Sequence, residues 1–235
     1  MPGGDLVSAA YQTGLPGEIA LRATSKGVKN VIEVELKCEL FPGLLPKLRE
    51  RLQHMTFDGI VHNVDRYYDT PRFDLLRQAV FVRIRNDHQL EFKFNEKGEK
   101  AHLQSTERVF SLFPDPSTCE NMNALFTRFL PNWSASSNFS EAVTKNNLTE
   151  LACINNKREV YIGEVIHLSI DHVEGLGDFL EVEMQCEEDG DTSGALALLH
   201  KFIADLDVEH IRVGYVELWL RMHNPQAYQL GKYHL

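Results

Sequence analysis

Residues 31–40 read VIEVELKCEL, and the interpretation of the whole chain starts from this stretch. From Ile32 onward, every even-numbered position up to Leu40 is apolar and every odd-numbered position is charged. Successive side chains of a β-strand point to opposite faces, so an alternation of this length predicts a strand. One face of this strand is apolar, and the other carries carboxylates and a lysine.

The same division into an apolar and a polar face recurs in four later segments. A single strand of this kind usually presents a solvated outer face with cross-strand ion pairs. Five such strands, together with helices that need an apolar surface to cover, favour a different arrangement, in which the charged faces point into a barrel or onto a concave sheet. The polar members of these four faces are Arg83 and Arg85, Glu91 and Lys93, His167, Ser169 and Asp171, and Glu181 and Glu183.

The remaining segments supply helices and connections. Residues 131–147 are polar and are predicted to form a loop, and residues 213–222 are interpreted as a final strand or a short helix. Residues 1–30, rich in Gly, Ala, Ser and Pro, are predicted to be a flexible leader before a single domain at residues 31–235. Amphipathic periodicity predicts helices at Leu44–Met55, Asn121–Leu130 and Ala195–Val208.

Composition narrows the classes of function. The formal net charge of −10 argues against nucleic acid or an anionic membrane as a partner, because both attract positive surfaces. The chain has no apolar run of membrane-spanning length, no signal peptide and no CxxC pair among its four cysteines. We therefore expect a cytoplasmic protein with free thiols, which acts as a monomer on a small molecule.

The mixture of charges on the polar faces points to one kind of ligand. Carboxylates hold hard divalent cations through their oxygen atoms. Arginine and lysine hold phosphate oxygens, arginine often with two parallel hydrogen bonds. A concave surface that carries both groups is therefore typical of a site for a metal ion and a polyphosphate.

The motifs on these strands resemble a known family. The run Glu33-Val-Glu35-Leu-Lys37 is similar to the ExExK motif of the CYTH proteins, also called triphosphate tunnel metalloenzymes. The resemblance continues through YYDTPRFDLL, FVRIR, EFKF, the Glu107-Arg108 and Lys157-Arg158 strands, and SIDHVEGLGDFLEVE at residues 169–183. The family includes thiamine triphosphatases, inorganic triphosphatases and class IV adenylyl cyclases. Within it, the tail LWLRMHNPQAYQ at residues 218–229 is most similar to the animal thiamine triphosphatases.

The resemblance implies a fold, a cofactor and roles for particular residues. The fold is mainly β, an antiparallel eight-stranded tunnel with helices packed outside, and the cofactor is Mg²⁺ or Mn²⁺. Glu33, Glu35 and Lys37 are implied to be catalytic. The implied metal ligands are Glu33, Glu35, Asp171, Glu181 and Glu183. The implied substrate-binding residues are Lys37, Phe81, Arg83, Arg85, Lys93, Glu107, Lys157, Arg158 and Arg212.

This sequence departs from the family at two positions. Vertebrate thiamine triphosphatases carry a tryptophan where this chain has Phe81, and a smaller ring offers less surface for stacking on a cationic thiazolium. A lysine common near the last strand is not matched at residues 213–215, and Arg212 is the nearest basic residue.

The predicted function is metal-dependent release of the terminal phosphate from triphosphate compounds. Thiamine triphosphate and inorganic tripolyphosphate both remain open as substrates. A class IV-type adenylyl cyclase and a non-catalytic polyphosphate-binding module remain open as alternatives.

Overall fold

The computed structural model describes residues 31–95, 104–187 and 192–235. The predicted leader, residues 1–30, lies outside the described residues. The described strands are β1 (Val31–Glu39), β2 (Thr56–Asp69), β3 (Phe81–Arg85), β4 (Gln89–Phe94), β5 (Gln104–Ser111), β6 (Thr149–Ile162), β7 (His167–Val173), β8 (Gly177–Glu187) and the two-residue β9 (His210–Ile211).

These strands form one antiparallel sheet that closes on itself. Its order is β5-β4-β3-β2-β6-β7-β8-β1-β9, and β5 also pairs with β1. The closing contact places Glu33 opposite Ser105, and on the other side of β1, Glu35 lies opposite Glu183 and Lys37 opposite Glu181. Eight long strands therefore make a closed barrel, as predicted, of a size whose interior can hold a small ligand.

Helices cover the outside of the barrel. None of the helices described combines the length and the apolar character needed to cross a lipid bilayer. The helices are α1 (Leu45–Leu52), α2 (Pro116–Phe129), α3 (Phe139–Lys145), α4 (Thr192–Ile203), α5 (Tyr215–His223) and α6 (Pro225–Leu230).

The loop predicted at residues 131–147 is wrong in part, because α3 lies within it. The side chain of Asn138 accepts a hydrogen bond from the backbone N–H of Glu141 at 3.0 Å, which caps the start of the helix. Phe139 and Ala142 are buried against the barrel, so two apolar contacts stabilise a segment that looks polar in the sequence. The segment 213–222, open between strand and helix, is the helix α5, and α4 ends at Ile203, before the predicted Val208.

The apolar faces of the strands pack beneath these helices. Val34, Leu36 and Cys38 of β1 are fully buried in a cluster that includes Leu199 of α4. A second cluster joins the apolar faces of β3 and β4 to α2 and α3, and a third lies under α5 and α6. Because the helices take the apolar faces, the alternate, charged faces point into the barrel.

Two adjacent leucines of α4 test this packing. Leu199 is fully buried, whereas 48% of Leu198 is exposed. We expect Leu199→Ala to lower the free energy of unfolding by about 2–5 kcal/mol, because it leaves a cavity between α4 and β1. Leu198→Ala should change it by no more than about 0.5 kcal/mol. If denaturant titrations show that both variants lose the same free energy of unfolding, the packing of Leu199 against β1 is wrong.

Candidate metal and triphosphate site

The barrel interior is a cavity of about 180 Å³ with a densely charged wall. The carboxylates that line it are Glu33, Glu35, Asp65, Glu91, Glu107, Glu181, Glu183 and Glu217. The basic residues that line it are Lys37, Arg83, Arg85, Lys93, Arg158 and Arg212.

Two arginines of β3 are held together by one aspartate of β2. Asp65 Oδ2 accepts hydrogen bonds from Arg83 Nη1 at 3.0 Å and from Arg85 Nη2 at 2.9 Å, and its Oδ1 accepts from Arg85 Nε at 2.8 Å. Glu91 of β4 accepts from Arg83 Nε at 2.8 Å. Burial opposes the charge on Arg83, but Asp65 and Tyr67 outweigh it and raise its pKa. The two guanidinium groups are therefore charged and fixed in orientation before any ligand enters.

A second network surrounds Arg158 of β6. Asp171 is fully buried and accepts from Arg158 Nε at 2.7 Å and from the Tyr215 hydroxyl at 2.6 Å. Arg158 also donates to Glu181, which pairs with Lys37 Nζ at 3.0 Å. Lys37 lies 4.3 Å from the centre of the Tyr215 ring, so the start of α5 closes over this network. Burial favours neutral Glu181, yet Arg158 and Lys37 lower its pKa far below the ordinary value.

A third network gathers carboxylates around one lysine. Lys93 Nζ lies 3.1 Å from Glu35, 3.3 Å from Glu107 and 3.7 Å from Glu33. Burial and the neighbouring Glu107 and Glu183 raise the pKa of Glu33 well above its ordinary value. This corner of the tunnel therefore carries more negative charge than Lys93 alone neutralises.

Most of the residues implied by the family resemblance meet in this cavity, but two do not. Lys157 is exposed and lies next to Arg158 on β6, so its side chain is on the opposite, outer face of the strand. Asp171 is on the inward face of β7, opposite Arg158, but it is fully buried beneath Arg158 and Tyr215, which donate hydrogen bonds to its oxygens. Side chains alternate between the two faces of a strand, so Lys157 must point outward when its neighbour Arg158 points inward. The other predicted residues that line the cavity are Glu33, Glu35, Lys37, Phe81, Arg83, Arg85, Lys93, Glu107, Arg158, Glu181, Glu183 and Arg212.

Several lining residues were absent from the predicted site. On β2, Asp65 and Tyr67 line the cavity, and Asn63 and Asp69, which share their face, are also buried. These four residues with polar groups recur with a period of two in the sequence, a signal that could have identified this strand as another wall of the barrel. Glu91, Ser105 and Asn156 were also missed on β4, β5 and β6. Further omissions come from α5 and the C-terminal segment, which bring Tyr215, Glu217 and Tyr233 to the cavity. The periodicity of a helix in the sequence does not reveal that the first turn of that helix closes a tunnel.

The donor set of the third network fits a divalent cation. Within the described parts of the chain, no group of three or more histidine, cysteine, aspartate or glutamate side chains is already arranged as a metal site. The carboxylates of Glu107 and Glu183 nevertheless both raise the pKa of Glu33, and all three residues line the cavity. Oxygen ligands of this kind suit a hard divalent cation, which would also relieve their repulsion.

The closed barrel and its charged lumen define a protein of the tunnel-enzyme type, and comparison with known proteins agrees. The model of the CYTH domain matches residues 31–212, and the chain belongs to this family. No curated protein matches it.

Solved structures extend the likeness over most of the chain. The PH1819 protein of Pyrococcus horikoshii OT3 is 26% identical, with a TM-score of 0.60 over 80% of this chain and 98% of that one. HpAC1 of Hippeastrum, described as an adenylyl cyclase with a dominant triphosphatase activity, is 20% identical, with a TM-score of 0.51 over 87% and 97%. A protein of Vibrio parahaemolyticus described as an adenylate cyclase is 13% identical, with a TM-score of 0.53 over 83% and 99%. At 20% and 13% identity, the Hippeastrum and Vibrio structures show only that the fold is shared.

The raised pKa of Glu217, in the first turn of α5, predicts that the stability of the protein depends on pH. Burial raises the pKa of Glu217 to about 7 from an ordinary 4.5. The folded protein keeps this proton in a window where the unfolded chain releases it, so stability falls from about pH 4.5 to about pH 7 and then levels off. We expect Glu217→Gln to gain on the order of 3 kcal/mol relative to wild type as the pH rises from 4.5 to 8. The measurement is urea unfolding at each pH.

Glu50→Gln, on the exposed surface of α1, provides the control for Glu217→Gln. If the two variants show the same change of stability with pH relative to wild type, the assignment of this titration to Glu217 is wrong.

Proposed function

We propose that this chain is a divalent-metal-dependent hydrolase that releases the terminal phosphate of triphosphate compounds inside the barrel. The observation that carries the proposal is the composition of the cavity wall, in which preformed guanidinium and ammonium groups face a corner crowded with carboxylates. Phosphoryl transfer depends mainly on positioning and charge stabilisation, and this wall has the groups for both.

The charge balance supports a requirement for metal. Eight carboxylates and six basic groups line the described wall, so the cavity has no surplus of positive charge for a ligand that carries several negative charges. A divalent cation bound at Glu33, Glu107 and Glu183 would supply that charge and neutralise phosphate oxygens during the reaction. We propose Mg²⁺ or Mn²⁺ as this cation.

The basic residues would bind and orient the substrate. Arg83 and Arg85 present two fixed guanidinium groups from one wall, and Arg158 presents a third from β6. Fixed guanidinium groups suit bidentate recognition of phosphate oxygens. Lys37 and Lys93 add point charges from β1 and β4, and Arg212 adds another where β9 meets the start of α5. The surrounding strands and α5 exclude bulk water from most of this surface, which strengthens each interaction.

The aromatic side chain of Phe81 favours a substrate in which the triphosphate carries an organic group. Phe81 lines the same cavity as the two arginines of β3, and Tyr67 lines it as well. Aromatic walls of this kind accept a ring next to the phosphate chain. We therefore propose thiamine triphosphate and inorganic tripolyphosphate as the two substrates to compare. A cytoplasmic, monomeric state stays a prediction.

The deciding experiment measures phosphate release with Mg²⁺ from thiamine triphosphate, inorganic tripolyphosphate and ATP at equal concentrations. We expect release from at least one of the first two and none after chelation of the metal. Formation of cyclic AMP from ATP would instead identify a cyclase. Binding of all three compounds without product would identify a binding module.

Two glutamates of β1 test the role of the carboxylate corner. Glu33 lines the cavity, whereas Glu39, on the same strand, is exposed. We expect Glu33→Gln to reduce phosphate release by about 100-fold or more, because it removes an anionic metal ligand, while the protein stays folded. Glu39→Gln should keep wild-type activity. Full activity of a folded Glu33→Gln variant would refute the assignment of Glu33 as a metal ligand.

A further inference from the structure

Two neutral side chains in the tunnel wall have buried polar atoms with no hydrogen-bond partner among the described residues. They are the hydroxyl oxygen of Ser105 on β5 and the amide oxygen of Asn156 on β6. Ser105 is 8% exposed and Asn156 is 7% exposed, and both line the cavity. Neither belongs to the predicted site.

A buried polar atom without a partner destabilises a folded protein, and native structures contain few of them. Many of the other buried polar side chains among the described residues do have partners. Ser136, for example, is 4% exposed, and its hydroxyl donates to the backbone oxygen of Ser134 at 3.2 Å. The two unpaired atoms in one cavity therefore indicate groups that are completed by a ligand.

The positions of these residues suit an elongated ligand. Four steps separate β5 from β6 in the eight-stranded ring, so Ser105 and Asn156 lie on opposite walls. Ser105 is directly across from Glu33, next to the carboxylate corner. Asn156 lies two residues before Arg158 and shares its inward face.

The charged side chains nearby explain why uncharged hydrogen-bond donors suit the binding of a phosphate in this tunnel. Lys37, Lys93 and Arg158 are each paired with carboxylates. A phosphate that takes one of these bases leaves a buried carboxylate without its partner, which costs free energy. A serine hydroxyl can rotate to donate, and an asparagine amide can present its N–H₂ group after a half turn. Either contact leaves the ion pairs intact.

We infer that Ser105 and Asn156 are substrate-binding residues on opposite walls of the tunnel. The Ser105 hydroxyl donates a hydrogen bond to a non-bridging oxygen of the triphosphate chain, and so does the Asn156 amide once a half turn has put its N–H₂ group where the unpaired oxygen lies. This inference rests on the proposed function, because it requires a polyphosphate in the cavity. It adds two uncharged contacts to the basic residues that the family resemblance implies.

The test separates binding from folding. The probe is the imido analogue of inorganic tripolyphosphate with Mg²⁺, titrated by calorimetry, since its P–N–P bonds resist hydrolysis. Thermal unfolding of each variant is measured without the probe. We expect Ser105→Ala and Asn156→Leu each to weaken binding by about tenfold, the effect of losing a hydrogen bond to a charged group. Their unfolding midpoints should stay unchanged or rise, because each substitution removes an unpaired buried atom.

Two further variants complete the comparison. Ser105→Thr keeps the hydroxyl and should restore wild-type affinity. Ser136→Ala, remote from the tunnel, loses a satisfied hydrogen bond, so its midpoint should fall while its affinity does not change. If Asn156→Leu does not fold, Asn156→Ala replaces it.

The outcomes distinguish this inference from the proposed function. Wild-type affinity in both tunnel variants, with normal hydrolysis of a triphosphate, overturns the inference alone. Weakened binding in both variants of a protein that hydrolyses no triphosphate supports the inference and refutes the hydrolase. A wild-type protein that does not bind the probe overturns both.

Discussion

The neutralisation of charge inside a closed sheet is the constraint on which this structure depends. A barrel buries the inner face of every strand, and a buried charge is tolerated only when it is paired and hydrogen-bonded. Asp65 meets this requirement for Arg83 and Arg85, and Asp171 meets it for Arg158. Each of these carboxylates comes from a strand adjacent to its arginine, so the pairing also depends on the strand register.

The same pairing has a consequence for ligand binding under the proposed function. When phosphate oxygens take over Lys93, the carboxylates of Glu33, Glu35 and Glu107 lose their shared partner. Under the proposed function, the carboxylates of Glu33 and Glu107, together with that of Glu183, would then be available as ligands for a divalent cation. Metal and polyphosphate should therefore bind together, because the charge of each neutralises the excess of opposite charge that the other would leave in the cavity. A tunnel lined only with basic residues would bind polyphosphate without this coupling.

The fold is shared with proteins of low sequence identity. The chain belongs to the CYTH family, and structures at 13–26% identity cover about four fifths of it. Under the proposed function, Phe81, Tyr67 and the first turn of α5 form the part of the wall that an organic substituent of the substrate would meet. The preference for one triphosphate over another would then depend on these aromatic and helical surfaces, whereas the barrel supplies the charged cavity itself.

The sequence by itself determined five of the strands, their two faces and the inward position of residues such as Glu33, Arg83 and Glu181. It could do so because strand periodicity is local and these five faces are marked by the alternation of apolar and charged side chains, a mark that the sequence interpretation did not find on β2. Only the tertiary structure decided which charges meet. Asp65 and Arg85 are 20 residues apart, and Lys93 and Glu35 are 58 apart, so these contacts follow from strand order and register. Register and closure arise from packing between distant segments, and for the same reason Asp171 is covered by Arg158 and Tyr215 while the first turn of α5 closes over the cavity.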